Sequence, residues 1–199
     1  IGYDAGKSLT TGANNTFIGG ACGDAITTGS GNTAMGSDSL SVATTCSYNT
    51  AFGKRALYVN TTADSNTAVG YNALTANTTG ENLGIGHSAL AANTTGGDNT
   101  AVGRYGAMMA NTTGSNNVAL GRGALAANTT ANSNTAVGWK CGDAITTGHE
   151  NTLIGKDCGG ATTTGRSNVA MGFETFLLNT SGEYNTAIGY EALRANTTE

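Results

Sequence analysis

Apolar, small and polar residues succeed one another along this chain in an order that returns at a fixed interval. Taking the recurrent glycine as position 1, the repeat begins at Gly2, Gly19, Gly36, Gly53, Gly70, Gly86, Gly103, Gly121, Gly138, Gly155, Gly172 and Gly189, which is 187 residues over eleven intervals and a mean period of 17. One interval of 16 (Gly70 to Gly86) is balanced by one of 18 (Gly103 to Gly121), so the phase recovers. Position 17 is apolar in every complete repeat, from Ile18 to Ile188, position 16 is Ala in eight of eleven, and position 15 is Thr or aliphatic. That alternation predicts a short strand with positions 15 and 17 on one face and the small residue of position 16 on the other. Position 14 is always Asn, including Asn66, Asn82, Asn99, Asn117, Asn134 and Asn151. Identical amides one strand spacing apart, about 4.8 Å, form a hydrogen-bonded ladder along stacked coils.

Position 9 is Thr in all twelve repeats and position 10 is Thr or Ser, usually followed by Gly at position 11. This β-branched pair predicts a second short strand, and the glycine a turn. Two strands and two turns per repeat make an all-β chain: a parallel β-solenoid, or β-roll, of about twelve 17-residue coils, one domain over residues 1–199 and about 55 Å long. Glycine every 17 residues and the Thr pairs oppose a helix. The core is filled in two ways. Leu at position 5 accompanies Asn at position 8 (Leu74 with Asn77, Leu125 with Asn128), whereas Gly at position 5 accompanies an apolar position 8 (Gly6 with Leu9, Gly23 with Ile26, Gly142 with Ile145), at near-constant volume.

Composition agrees with stacked coils. Gly, Thr and Asn supply 87 of 199 residues, Pro is absent and only 11% are charged, a mixture that would be disordered without the period. A net charge of −4 with interspersed signs excludes the basic footprint of a nucleic-acid binder. No stretch of 18 apolar residues predicts membrane insertion. The chain is read as a processed form or fragment of something longer, its end coils, the last stopping at Glu199, covered by missing sequence or partners.

Reactive chemistry is sparse. His87 at position 2 and His149 in a turn lack metal-ligand spacing, and scattered carboxylates lack a calcium repeat. The reading is therefore no enzyme, no metal and no cofactor. Cys22, Cys141 and Cys158 replace the usual Ala of position 4 and predict small buried thiols, while Cys46 replaces the glycine of position 11 and is read as exposed or cross-linking. Position 2 forms the most suggestive stripe: Tyr3, Lys54, Tyr71, His87, Arg104, Arg122, Trp139, Lys156, Phe173 and Tyr190. Stacked aromatic and cationic side chains make a glycan-binding or cation–π ladder, with Trp139 and Tyr190 first for a sugar. The alternative is a corner that stacks on itself or meets another chain. Positions 8 and 10, such as Asn77 and Thr79, are candidates to share an ice-binding face, interrupted by Leu9, Ile26 and Ile145; the NTT triplets at Asn60, Asn77, Asn93, Asn111, Asn128 and Asn196 also match glycosylation acceptors.

The units NTAVG (Asn66 to Gly70), NVALG (Asn117 to Gly121), GYNAL (Gly70 to Leu74) and NTTG (Asn77 to Gly80) resemble the repeats of phage tail fibres. They are also similar to a longer form of the repeats in the heads of trimeric autotransporter adhesins, left-handed β-rolls in which three chains stand side by side. The resemblance implies a structural or adhesive segment of an extracellular or virion-surface fibre, a homotrimer presented to a host or cell-surface glycan or protein. It implies that Ala68, Ala101, Ala119, Ala136 and Ala170 at position 16 are where chains approach; packing inside a single coil is the alternative. Two rival functions remain, a filament whose subunits stack end to end and a monomeric ice-binding solenoid. The adhesin coil is a few residues shorter, so ligand sites do not transfer.

Overall fold

The structure, a computed structural model, describes residues 1–198, and Glu199 lies outside them. Eleven short strands form where positions 15 to 17 predict them: β1 (Thr16–Ile18), β2 (Thr33–Met35), β3 (Thr50–Phe52), β4 (Thr67–Val69), β5 (Asn82–Ile85), β6 (Asn99–Val102), β7 (Val118–Leu120), β8 (Thr135–Val137), β9 (Thr152–Ile154), β10 (Val169–Met171) and β11 (Thr186–Ile188). They make one parallel sheet in chain order. Equivalent positions pair, Ala51 with Ala68 and Phe52 with Val69, and the irregular intervals leave this intact, since Thr67 pairs Leu83 and Thr100 pairs Val118. The chain is a β-solenoid with one strand per coil, and no helix occurs among the described residues.

The second strand predicted at positions 9 and 10 does not form. Consecutive N–H groups of most Thr pairs converge on one carbonyl of the next coil: Thr94 and Thr95 donate to Thr112, and Thr112 and Thr113 to Thr129. A strand would send neighbouring N–H groups in opposite directions. These segments still stack coil on coil, but as bends.

Coils close through left-handed residues at positions 3, 5 and 13, as at Asp38, Leu40 and Tyr48. Non-glycine residues pay a strain of about 1–2 kcal/mol there, tolerated because neighbouring coils pair with the backbone on both sides. Position 1 needs glycine for a further reason. A Cβ on Gly121, at φ +134°, would stand 2.3 Å from the carbonyl oxygen of Gly138 in the next coil.

The interior is a column of small and medium side chains. The position 16 alanines Ala68, Ala101, Ala119, Ala136 and Ala170 are buried within the single chain at 0–1% exposure, so they pack inside the coil and are not surfaces where chains approach. Leu74, Leu90 and Leu125 at position 5 and Ile26 and Ile145 at position 8 fill the same column. Compensation also runs through position 16. Phe17 occupies the space beside Gly6 and Gly23, and Leu153 that beside Gly142 and Gly159, where a Cβ would meet those side chains at 2.7–2.9 Å.

Candidate functional site

Inside the rod the polar side chains hold coils together. Each position 14 Asn accepts, through its Oδ1, the backbone N–H of the next Asn: Asn66 from Asn82 at 2.8 Å, Asn82 from Asn99 at 3.0 Å, Asn99 from Asn117 at 3.0 Å and Asn134 from Asn151 at 2.9 Å. Most also donate Nδ2 to the position 11 carbonyl of the coil beyond, as Asn151 does to Gly165 at 2.8 Å. A second amide ladder runs at position 8. Asn77, Asn93, Asn111 and Asn128 at position 8 each donate to the Oδ1 of the Asn one coil before, at 2.7–3.2 Å. The position 9 hydroxyls form a third, as Thr112 donates to the Thr129 carbonyl at 3.0 Å.

These ladders revise three expectations. Asn60, Asn77, Asn93, Asn111 and Asn128 are fully buried, so their amides are closed to a glycosyltransferase in the folded chain. Positions 8 and 10 point to opposite sides, inward and outward, and share no face for ice. Cys46 is buried with the other three thiols, because position 11 lines the interior: Gly96, Gly114 and Ala131 are buried at the same level of the coil. Burial pushes the Cys46 thiol up to about 11. The neighbouring Cys158 sulfur, together with burial, holds Cys141 protonated far above the ordinary thiol range. All four cysteines are free, and the position 4 prediction of buried thiols is met.

The outer surface has no cavity and no metal-holding cluster among the described residues. Its features are files. One is the predicted position 2 stripe, whose members contact each other. Tyr71 and His87 have ring centroids 5.1 Å apart, His87 and Tyr105 5.9 Å, and Phe173 stacks on Tyr190 at 5.4 Å. Arg104 and Arg122 lie over Tyr105 at 4.5 and 5.3 Å, Lys140 and Lys156 over Trp139 at 5.4 and 4.9 Å, and Lys156 also over Phe173 at 4.6 Å. Arg104 donates to the Tyr105 hydroxyl at 2.7 Å, and this bond, with the guanidinium charge, lowers the phenol's pKa. Tyr105 and Lys140, both at position 3, belong to the column, although the period assigns them to the neighbouring file. Reading positions 2 and 3 together would have found them.

A second file is position 17. Its apolar side chains face outward beside position 15: Phe52, Val69, Met171 and Ile188 are exposed at 37–66%, and the other seven are half-buried. The third is position 10, a Thr or Ser exposed in every coil. No protein-family model matches the chain, and searches of curated proteins and of solved structures gave no match.

Proposed function

We propose that this chain is a rigid structural segment of an extracellular or virion-surface fibre in which three copies stand side by side, in register, through the outer face of the sheet. The observation that carries the reading is the position 17 file. An outward column that is apolar in all eleven repeats, half-buried at seven positions and exposed at four, is suited to cover by another apolar surface. Identical rods offer such a surface at the same coil spacing, so one contact repeats along the sheet and many weak contacts sum. The number three rests on the resemblance to trimeric adhesin heads. The face is supplied by positions 15 and 17, not by position 16.

The role is mechanical and presentational. Backbone bonds run from coil to coil, the Asn ladders fix the spacing, and variable positions 2, 12 and 13 decorate the outside. Light scattering after size separation tests the assembly. The wild type is expected near three times 19.8 kDa, and Val69→Lys with Val137→Lys is expected to yield monomers of unchanged circular dichroism. A wild-type monomer at every concentration overturns the reading.

A further inference from the structure

We propose that the position 2 and 3 column of the middle coils binds an acidic linear polysaccharide, one bearing a carboxylate or sulfate on successive sugars. The inference does not rest on the number of chains in the fibre.

Charge is segregated on this rod. Six of its nine Lys and Arg residues stand at position 2 or 3: Lys54, Arg55, Arg104, Arg122, Lys140 and Lys156. In the six coils that begin at Gly53, Gly70, Gly86, Gly103, Gly121 and Gly138, neither position carries Asp or Glu, whereas Asp4, Asp38, Asp157, Glu174 and Glu191 stand at position 3 of flanking coils. A chain of net charge −4 thus bears a strip about 24 Å long, five coil spacings of about 4.8 Å, that has no carboxylate at these positions and a cation in four of its six coils.

Within that strip, Arg104, Arg122 and Lys140 come from successive coils, and Lys156 continues the series. Lys140 and Lys156 face Asp143 and Asp157 at 3.9 and 2.9 Å. Arg104 and Arg122 form no ion pair among the described residues. Both are exposed and held over Tyr105, so little side-chain entropy remains to be lost when an anion arrives. Guanidinium groups take carboxylate and sulfate through paired donors.

The repeat selects the polymer. An extended sugar is about one strand spacing long, about 4.8 Å, so the anions of such a polymer that face the rod fall at whole multiples of the coil spacing. Nucleic acid fits less well, because single strands are held by bases stacking on open aromatic faces. Here Arg104, Arg122, Lys140 and Lys156 stand 4.5–5.4 Å from the Tyr105 and Trp139 ring centres and compete with a base for those faces. The same neighbours move the expected contact of an acidic sugar from Trp139 toward the arginines.

The test is fluorescence anisotropy of a labelled galacturonate decamer at low ionic strength, beside its methyl ester and a single-stranded DNA of equal charge. The charged decamer is expected to bind and its ester not to. Arg104→Gln with Arg122→Gln is expected to weaken binding at least about tenfold, with melting temperature and mass unchanged, and Arg166→Gln to leave binding as it was. Absence of binding, equal binding of the ester, an unaffected double variant, or tighter binding of the DNA would each overturn the proposal.

Discussion

The side-chain Oδ1 of Asn117 accepts the backbone N–H of Asn134, one coil further on, at 2.9 Å. The same side chain donates Nδ2 to the Ala131 carbonyl at 2.9 Å and to Asn99 Oδ1 at 3.1 Å. One buried amide therefore ties three coils. Asn117→Leu keeps an approximate volume but leaves the Asn134 N–H unpaired in the interior, at about 1–3 kcal/mol, while the Ala131 carbonyl keeps only the Asn128 amide at 3.3 Å. A loss of about 1–3 kcal/mol in urea unfolding is expected; a loss below about 0.5 kcal/mol would show that the ladder is ornamental.

The position 8 column contains an error that a substitution can repair. Thr162 is fully buried and its hydroxyl has no hydrogen-bond partner. Thr162→Val replaces that hydroxyl with a methyl group of similar size, removing a desolvation cost without opening a cavity. Stability is expected to rise by about 1 kcal/mol. A fall on chemical denaturation would mean the hydroxyl is satisfied in solution.

Cys46 makes stability depend on alkaline pH. Its folded pKa is raised from 9.0 to about 11, so between these values the unfolded chain releases a proton that the folded chain keeps. The stabilising contribution is complete below about pH 9 and is lost as pH climbs toward 11. Cys46→Ala places at position 11 the residue found there at Ala63 and Ala131. Relative to the variant, the wild type is expected to lose about 2 kcal/mol of stability from pH 8.5 to 11; a difference that stays flat contradicts this burial.

Stacking at position 1 leaves no room for a methyl group. Gly121→Ala drives a Cβ to 2.3 Å from the Gly138 oxygen, at a φ that L residues rarely adopt, and is expected to cost at least about 3 kcal/mol. Gly20 is the control, because a Cβ there meets nothing within 4 Å. Gly20→Ala is expected to change melting by no more than about 0.5 kcal/mol. Equal effects at the two sites would place the constraint elsewhere.

Much of the coil was legible because repetition exposes what geometry demands. The invariance of Asn117 and its equivalents announced a ladder, and the alternation around Ala136 placed the strand. Less legible was the Thr112–Thr113 pair, whose β-propensity reads as strand although both N–H groups converge on Thr129. Cys46 was misread because its glycine equivalents looked like turn residues, whereas they are small through lining the interior. The alanines were placed at an interface by the resemblance to adhesin heads, with packing inside one coil as the alternative. Size shows that something approaches closely, not whether that neighbour is the same chain. Tyr105 was missed from the aromatic column because only one file was read at a time.

Disulfide trapping of Val137→Cys tests most directly whether rods meet through the outer sheet face, since the four native thiols are buried. Side-by-side, in-register assembly predicts that Val137→Cys oxidises to linked pairs of chains on a non-reducing gel, and that a tagged mixture with Val69→Cys yields only like-with-like pairs. Thr130→Cys, on the exposed position 10 file, is predicted to stay unlinked. Val137→Cys remaining single while Thr130→Cys links, or neither linking, would contradict the account.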